Sequence, residues 1–404
     1  MSRLMLLILI ITRVCGYVKG QEITYGYIDS LSYQLYLKGH WDSLIITGQL
    51  AEKANIIYPN LNMRIGYAAM MKGNNSFALK NYNKVLEYNS FNEDAIYYAV
   101  LNNTLLSRRE AACFRSKSLS ADLKKSLLVN TGKLFESIDT ERSFKPTNNN
   151  LRKSGHYSRL GLGHRLNYRL KLYQSFALYK QDLAAEEINY NAPANPPGSN
   201  NYPIVQRVFS VSDLQYYVKS EFHINSKFSI INAFHFANTN FDNSTYKTSI
   251  VNCGIKYFNP YADFKLELNT GPMLDSLLTQ VAFSSTYYPL GNLNLYLNSR
   301  LSYQKRTSLS QLNFYQMLGL KVHKKLWIET QGTFGQIKNM IDNEALYIYS
   351  ALDVSKFRAG ISVIIPVNSR FSITSNYSYE QKKLSIINTN YNLHSYSIAL
   401  SWKL

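Results

Sequence analysis

Charge is scarce in this chain. Only 17% of its 404 residues are charged, where an ordinary globular chain carries about a quarter. Acidic residues are the scarcer sign, 26 against 44 Lys and Arg, for a net charge of +18. Cysteine is nearly absent: of three, Cys15 lies near the N-terminus, and Cys113 and Cys253 are far apart. That excludes a disulfide framework and any cysteine-based metal cluster. No run of 18 apolar residues occurs after the first segment, so a helical membrane span is excluded as well. The basic excess would suit nucleic acid. Its Lys and Arg, however, are scattered singly or in short groups near turns, as in "HKK" (323–325) and "QKK" (381–383), with no basic helix or finger motif beside them. Anionic lipid headgroups, lipopolysaccharide or an acidic polymer fit better than nucleic acid.

What is present is aromatic. Tyr (33) and Phe (19) are abundant and the hydrophobic fraction is a moderate 46%, a profile for alternating strands rather than for helices apolar all round. The opening "MSRLMLLILIITRVCGYVKGQE" has Arg3, an apolar stretch from Leu4 to Thr12 and small-residue spacing at Val18-Lys19-Gly20. Residues 1–20 therefore read as a secretory signal peptide. Cys15 opens a lipidation alternative, although Arg13-Val14 before it lacks the small residues of such a site. An exported chain without an apolar helix reaches a membrane as a barrel.

Residues 21–121 carry a helical period. The stretch "NMRIGYAAMMKGNNSFALKNYNKVLEYNSFN" (62–92) resembles a tetratricopeptide repeat: Ile65-Gly66 stand at its Leu-Gly positions, Gly73 closes the first helix, and Ala78 and Tyr82 face inwards from the second. Gly39 precedes Gly73 by 34 positions, Leu44 precedes Ala78 by 34 and Ala112 follows by 34, the period of this repeat. Ser107 replaces the third turn glycine. About three repeats are expected, packed through Gly39, Ile65, Gly66, Gly73, Ala78, Tyr82 and Ala112. Tyr33, Tyr36 and Trp41 either line a groove or pack repeats together, and packing is the commoner use.

From 122 to 404 the period changes to two. "FKLEL" (264–268) sets Phe264, Leu266 and Leu268 against Lys265 and Glu267. "NLNLYLNSRLSYQ" (292–304) sets Leu293, Leu295, Leu297, Leu301 and Tyr303 against Asn294, Asn298, Arg300, Ser302 and Gln304. The strand Tyr396, Ile398, Leu400, Trp402, Leu404 has one wholly apolar face and reads as a barrel's C-terminal assembly strand. Short links (166–167, 225–227, 259–262, 289–292, 323–325, 367–369) alternate with long ones (183–207, 338–356, 382–390), as in an outer-membrane barrel of about 14 strands. A soluble sandwich would have strands nearer 5 or 6 residues.

The expected fold class is therefore α + β multidomain: an N-terminal helical tetratricopeptide array and a C-terminal antiparallel transmembrane β-barrel. No catalytic, cofactor or metal constellation is visible, and "GLG" (161–163) inside a strand relieves crowding rather than binding phosphate. His156, His164 and His235 face the lumen or the aromatic girdle. The expected lumen charges are Arg169, Lys171, Lys219, Glu221, Lys265, Glu267, Arg300 and Glu329, with Arg159, Arg165, Asp213 and Glu380 beside them. Such a lumen is either water-filled or closed by its own ion pairs.

The 62–92 repeat and the strands up to Leu404 together resemble, in layout, the YaiO-type outer-membrane proteins and a reduced form of the exopolysaccharide-secretion porins. That resemblance implies an outer-membrane porin-like protein of the Gram-negative envelope with its repeat domain in the periplasm. It would transport or export a solute or polymer without being an enzyme. Its expected partners are outer-membrane lipid, the barrel-assembly machinery and a periplasmic protein or polymer held by the repeats. The alternatives are a non-conducting anchor for a periplasmic protein-protein interaction scaffold and, remotely, a barrel enzyme acting on lipids. Three repeats are fewer than the secretion porins carry, and Leu404 stands where assembly signals usually have Phe.

Overall fold

The computed structural model describes residues 23–127, 133–146, 152–189, 191–193, 202–242, 244–274, 276–306, 309–350, 353–383 and 390–404. The expected signal peptide, and Cys15 with it, lies outside the described residues.

Helices α1 (Tyr25–Leu37), α2 (Trp41–Lys53), α3 (Pro59–Met71), α4 (Asn75–Tyr88), α5 (Glu93–Leu105) and α6 (Arg109–Arg115) form three helix-turn-helix pairs. Their first helices begin at 25, 59 and 93 and their second at 41, 75 and 109, a spacing of 34. Local chemistry sets these boundaries. Thr24, Asn74 and Asn92 accept hydrogen bonds from Tyr27, Phe77 and Ala95 N–H groups at the helix starts, and Pro59 opens α3. Each intra-pair turn passes through one left-handed residue: Gly39 (φ 69°), Gly73 (φ 75°) and Ser107 (φ 58°). The first two glycines thus serve the turn rather than helix contact, and the third pair makes the same turn with a serine. The helical segment continues through α7 (Ala121–Ser126), past the expected boundary at residue 121.

Fourteen antiparallel strands then close a barrel. They are β1 (Lys133–Lys145), β2 (Arg152–Arg165), β3 (Leu170–Ile188), β4 (Ile204–His223), β5 (Phe228–Phe241), β6 (Ser244–Asn259), β7 (Ala262–Met273), β8 (Ser276–Tyr287), β9 (Leu295–Arg306), β10 (Leu309–His323), β11 (Leu326–Ile337), β14 (Val354–Pro366), β15 (Phe371–Lys383) and β16 (Asn390–Lys403). Consecutive barrel strands are neighbours throughout. β11 pairs with β14, because the short hairpin of β12 (Met340–Asp342) and β13 (Tyr347–Tyr349) is a separate two-stranded sheet. Strand β16 closes the ring on β1, with Ser137 opposite Lys403 and Phe144 opposite Tyr396.

The period of two decides which face is which. Alternate residues such as Phe176, Leu178, Phe234, Leu266, Leu268, Phe283 and Leu301 are exposed on the outside. On β16, Tyr396, Ile398 and Trp402 are 51%, 57% and 54% exposed. A belt of such side chains around the wall is the lipid-facing band of a transmembrane barrel, and closure leaves no barrel strand without a neighbour on either side. Among the described residues no helix is long and apolar enough to cross a membrane. Leu293, expected on the β9 face, instead precedes the strand and packs against the helical module.

Candidate functional site

Inside the ring every second residue points to the axis and is mostly polar. Gly161 and Gly163 lie on the inward face of β2, where a Cβ would collide with Tyr173 and Asp139 at the first and with Ser137 at the second. These glycines therefore make room for neighbouring lumen side chains. Arg159 occupies that space, pairing with Asp139 and, at 3.2 Å, with Glu141.

The β12–β13 hairpin folds back into the lumen. Its tip, Asn343-Glu344-Ala345, has three consecutive left-handed residues (φ 50°, 56° and 65°), a conformation that non-glycine residues hold only when their surroundings impose it. Here the wall imposes it. Gln280 on β8 donates to Ile341 O (2.7 Å) and accepts from Ile341 N (3.1 Å). Tyr217 donates to Glu344 O (3.0 Å), and His235 Nδ1 lies 2.7 Å from Ala345 O. Ile341 and Ala345 bury themselves against Ile250, Met273 and Leu278. Arg300 on β9, beside β8, pairs with Asp342, and on the opposite side Tyr347 donates to Glu141 (2.6 Å) and Tyr349 to Glu380 (2.6 Å). The hairpin thus bridges the bore and narrows it.

The helical module covers the barrel end that carries the short turns 166–169, 224–227, 259–261 and 288–294. Arg108, with a side chain 2% exposed, reaches Asp263 (2.9 Å) and Asn259 O (2.6 Å), its guanidinium 5.2 Å from the Tyr288 ring centre. Tyr288 is itself buried in the module's core beside Ala69, Ala78, Leu79, Tyr82, Ala99 and Leu106. Gly73 O accepts from Asn292 (2.8 Å) and Ser76 N donates to Gly291 O (2.9 Å). Glu110 meets Lys171 at 2.7 Å and Arg165 at 3.7 Å. Burial opposes the ionisation of Glu110, but Lys171 and Arg165 outweigh it and hold the carboxyl well below the usual carboxylate range.

Among the described residues a cavity of about 1720 Å³ remains beside the hairpin. It runs from Thr104–Arg108 of the module, past Tyr296, Arg300 and Glu329, to Lys145 and Tyr391 near the other end. Its lining is rich in tyrosine and carries both charge signs.

Most of the expected lumen charges face this interior. Lys219 (2.9 Å) and Lys265 (2.8 Å) bind Glu344, Glu267 pairs with Lys265 (3.1 Å), and Glu221 with Lys256 (3.3 Å). Tyr296 donates to Glu329 at 2.5 Å, and Lys171 turns to the module. Arg169 is instead in the β2–β3 turn, exposed, near the Phe114 and Phe222 rings. His235 faces the lumen, whereas His156 and His164 lie beside Phe144 and Phe135. In the module Ala78 and Tyr82 are fully buried and Ile65 and Ala112 nearly so. A Cβ on Gly66 would come within 2.8 Å of the Tyr82 ring. Tyr36, Trp41, Tyr67, Tyr98 and Tyr82 pack in a chain of ring contacts, 5.1 to 6.1 Å between centres. Tyr33 stays half exposed, its ring centre 5.0 Å from the Arg64 guanidinium.

Sequence reasoning missed Glu344, Asp342, Tyr347 and Tyr349, because 338–356 reads as an outer loop. The one local signal was "YIY" (347–349), an alternating triplet inside that loop. Among the described residues no group of three His, Cys, Asp or Glu could hold a metal ion.

These features define an outer-membrane-type β-barrel with a helical N-terminal region. No known protein family and no curated protein matches the sequence. Among solved structures, the Pseudomonas putida toluene transporter TodX is similar at 7% identity and a TM-score of 0.47, over 67% of this chain and 90% of that one. A bacterial polysaccharide outer membrane secretin is similar at 8% identity and 0.40, over 67% and 99%. The KdgM porin is similar at 9% and 0.31, over 66% and 99%. Values this low carry no inference about cargo.

Proposed function

We propose that this protein is an outer-membrane channel that moves a polar solute or polymer, with its helical module at the periplasmic mouth. The tyrosine-lined cavity, bordered by residues from the module to the far end of the barrel, carries this reading. A pure anchor needs no bore, and 14 strands enclose more width than side chains alone fill. The 34-residue period supports reading the module as a short tetratricopeptide array that engages a periplasmic protein or polymer. The orientation follows the rule that short turns of such barrels are periplasmic and long loops external. All connections at the module's end are short, whereas the other end carries the long connections 188–204, 337–354 and 383–390 beside the short links 241–244, 273–276 and 306–309.

The scaffold reading draws on one observation: the module and the hairpin both obstruct the bore. Liposome swelling separates the two. Vesicles holding the full-length protein swell in mono- and disaccharides if it is a channel. Swelling no faster than protein-free vesicles would leave the anchor.

A further inference from the structure

The hairpin tip points to a ligand site. Lys219 on β4, Lys256 on β6 and Lys265 on β7 converge on the Glu344 carboxylate, one oxygen 2.9 Å from Lys219 and the other 2.8 Å from Lys265 and 3.6 Å from Lys256. Glu344 is not part of the wall. It arrives on a tip of three left-handed non-glycine residues. The wall's own acids, Glu221 and Glu267, already pair with Lys256 and Lys265, and His223 stands 3.8 Å from Glu221. With Glu344 withdrawn, three lysines face two carboxylates, and a cation is left at low exposure without a partner, a costly state that a carboxylate would relieve. Lys256, Lys265 and Asn343 border the main cavity, so a solute in the bore can reach the site.

We infer that Lys219, Lys256 and Lys265 form a carboxylate-binding site for the transported solute, occupied at rest by Glu344, and that a solute carboxylate displaces Glu344 and releases the hairpin from the wall. This rests on the channel reading, and names its substrate class as a polar solute bearing a carboxylate. Because the two lysine contacts fall on different oxygens, a planar two-oxygen group is preferred over a neutral hydroxyl.

The test uses the full-length protein with Cys15 and exposed Cys253 changed to serine and Ala345→Cys as a reporter, Cys113 remaining buried. Ile341→Cys serves as a second reporter, and heat-modifiable gel migration verifies a folded barrel for each. Maleimide labelling is followed in glucuronate and in glucose at equal ionic strength. Glucuronate should speed labelling on the order of tenfold, the shift of a closed two-state equilibrium, and glucose should not. Adding Glu344→Gln should give fast labelling in either sugar, and calorimetric titration should show that variant binding glucuronate more tightly than the parent. Equal labelling in the two sugars, or slow labelling in the Glu344→Gln variant, overturns the inference. Swelling with indifferent labelling removes the site and keeps the channel; glucuronate-dependent labelling without swelling keeps the site and removes the channel.

Discussion

The helical module and the barrel are built inside out with respect to each other. In the module Ala78, Tyr82, Ala99 and Leu106 are buried at the centre and charges such as Asp42 and Lys72 stand outside. In the barrel Leu266, Leu268 and Phe283 stand outside, while Lys265, Glu267 and Lys219 are gathered at the centre. One chain thus answers two solvents. Water on the outside drives the module's apolar side chains inwards, and lipid removes that drive for the barrel, whose strands are held by backbone pairing and closure. The seam between them joins both kinds of contact: Tyr288 and Leu293 of the barrel pack into the module's apolar core, and Arg108, Glu110 and Asn292 add ion pairs and hydrogen bonds beside it.

Perturbations of closure should have the largest effect. Removing Trp402 to Leu404 strips β16 of its pairing with Ile138 and Ser137 and of the Trp402–Phe371 ring contact. The expected outcome is loss of assembled, heat-modifiable barrel, with the module's helical signal surviving. Next is Tyr82→Ala, which empties the module's centre and should cost about 3 to 5 kcal/mol. Circular dichroism on heating should show the helical transition fall and the strand transition stay.

A matched pair sharpens the inversion. Leu268→Arg, near the middle of the lipid-facing band, should cost about 2 to 4 kcal/mol of barrel stability. Leu50→Arg, on the module's exposed side, should stay within about 0.5 kcal/mol. Urea unfolding in lipid vesicles measures both. Equal costs would break the comparison.

The smallest expected effect is acid weakening of the seam. Glu110 is held below its ordinary range by Lys171 and Arg165, so it binds its proton less readily docked than free. Its contribution is complete above about pH 4.3, the free value for Glu, and is lost only as pH falls through the lower docked value. Limited proteolysis between the domains should be unchanged from pH 7 to 5 and rise in stronger acid, and Glu110→Gln should remove that pH dependence.

Much of this architecture was legible in the residues. The 34-residue spacing of Gly39, Gly73 and Ser107 marks the turns, because each intra-pair turn passes through a left-handed residue. The alternation at 264–268 and 396–404 marks which side faces lipid, because a strand has only two faces. The seam and the hairpin were not legible. Arg108 and Asp263 are 155 residues apart, and nothing local in either joins them. Glu344 lies in a stretch whose length and polarity suit an external loop; the ring of Lys219, Lys256 and Lys265, brought together by strand register, holds it inwards together with wall residues such as Gln280 and Tyr217. Arg169 failed for the opposite reason, since the alternation that should place it in the lumen stops at the turn.

The central claim is that the ring of 14 strands encloses a route for solute which the hairpin narrows. Single-channel recording of the purified full-length protein in planar bilayers tests it most directly. The account predicts discrete conductance steps for the native chain and larger or longer openings for Glu344→Gln. Folded, inserted protein that stays silent in both forms would contradict it.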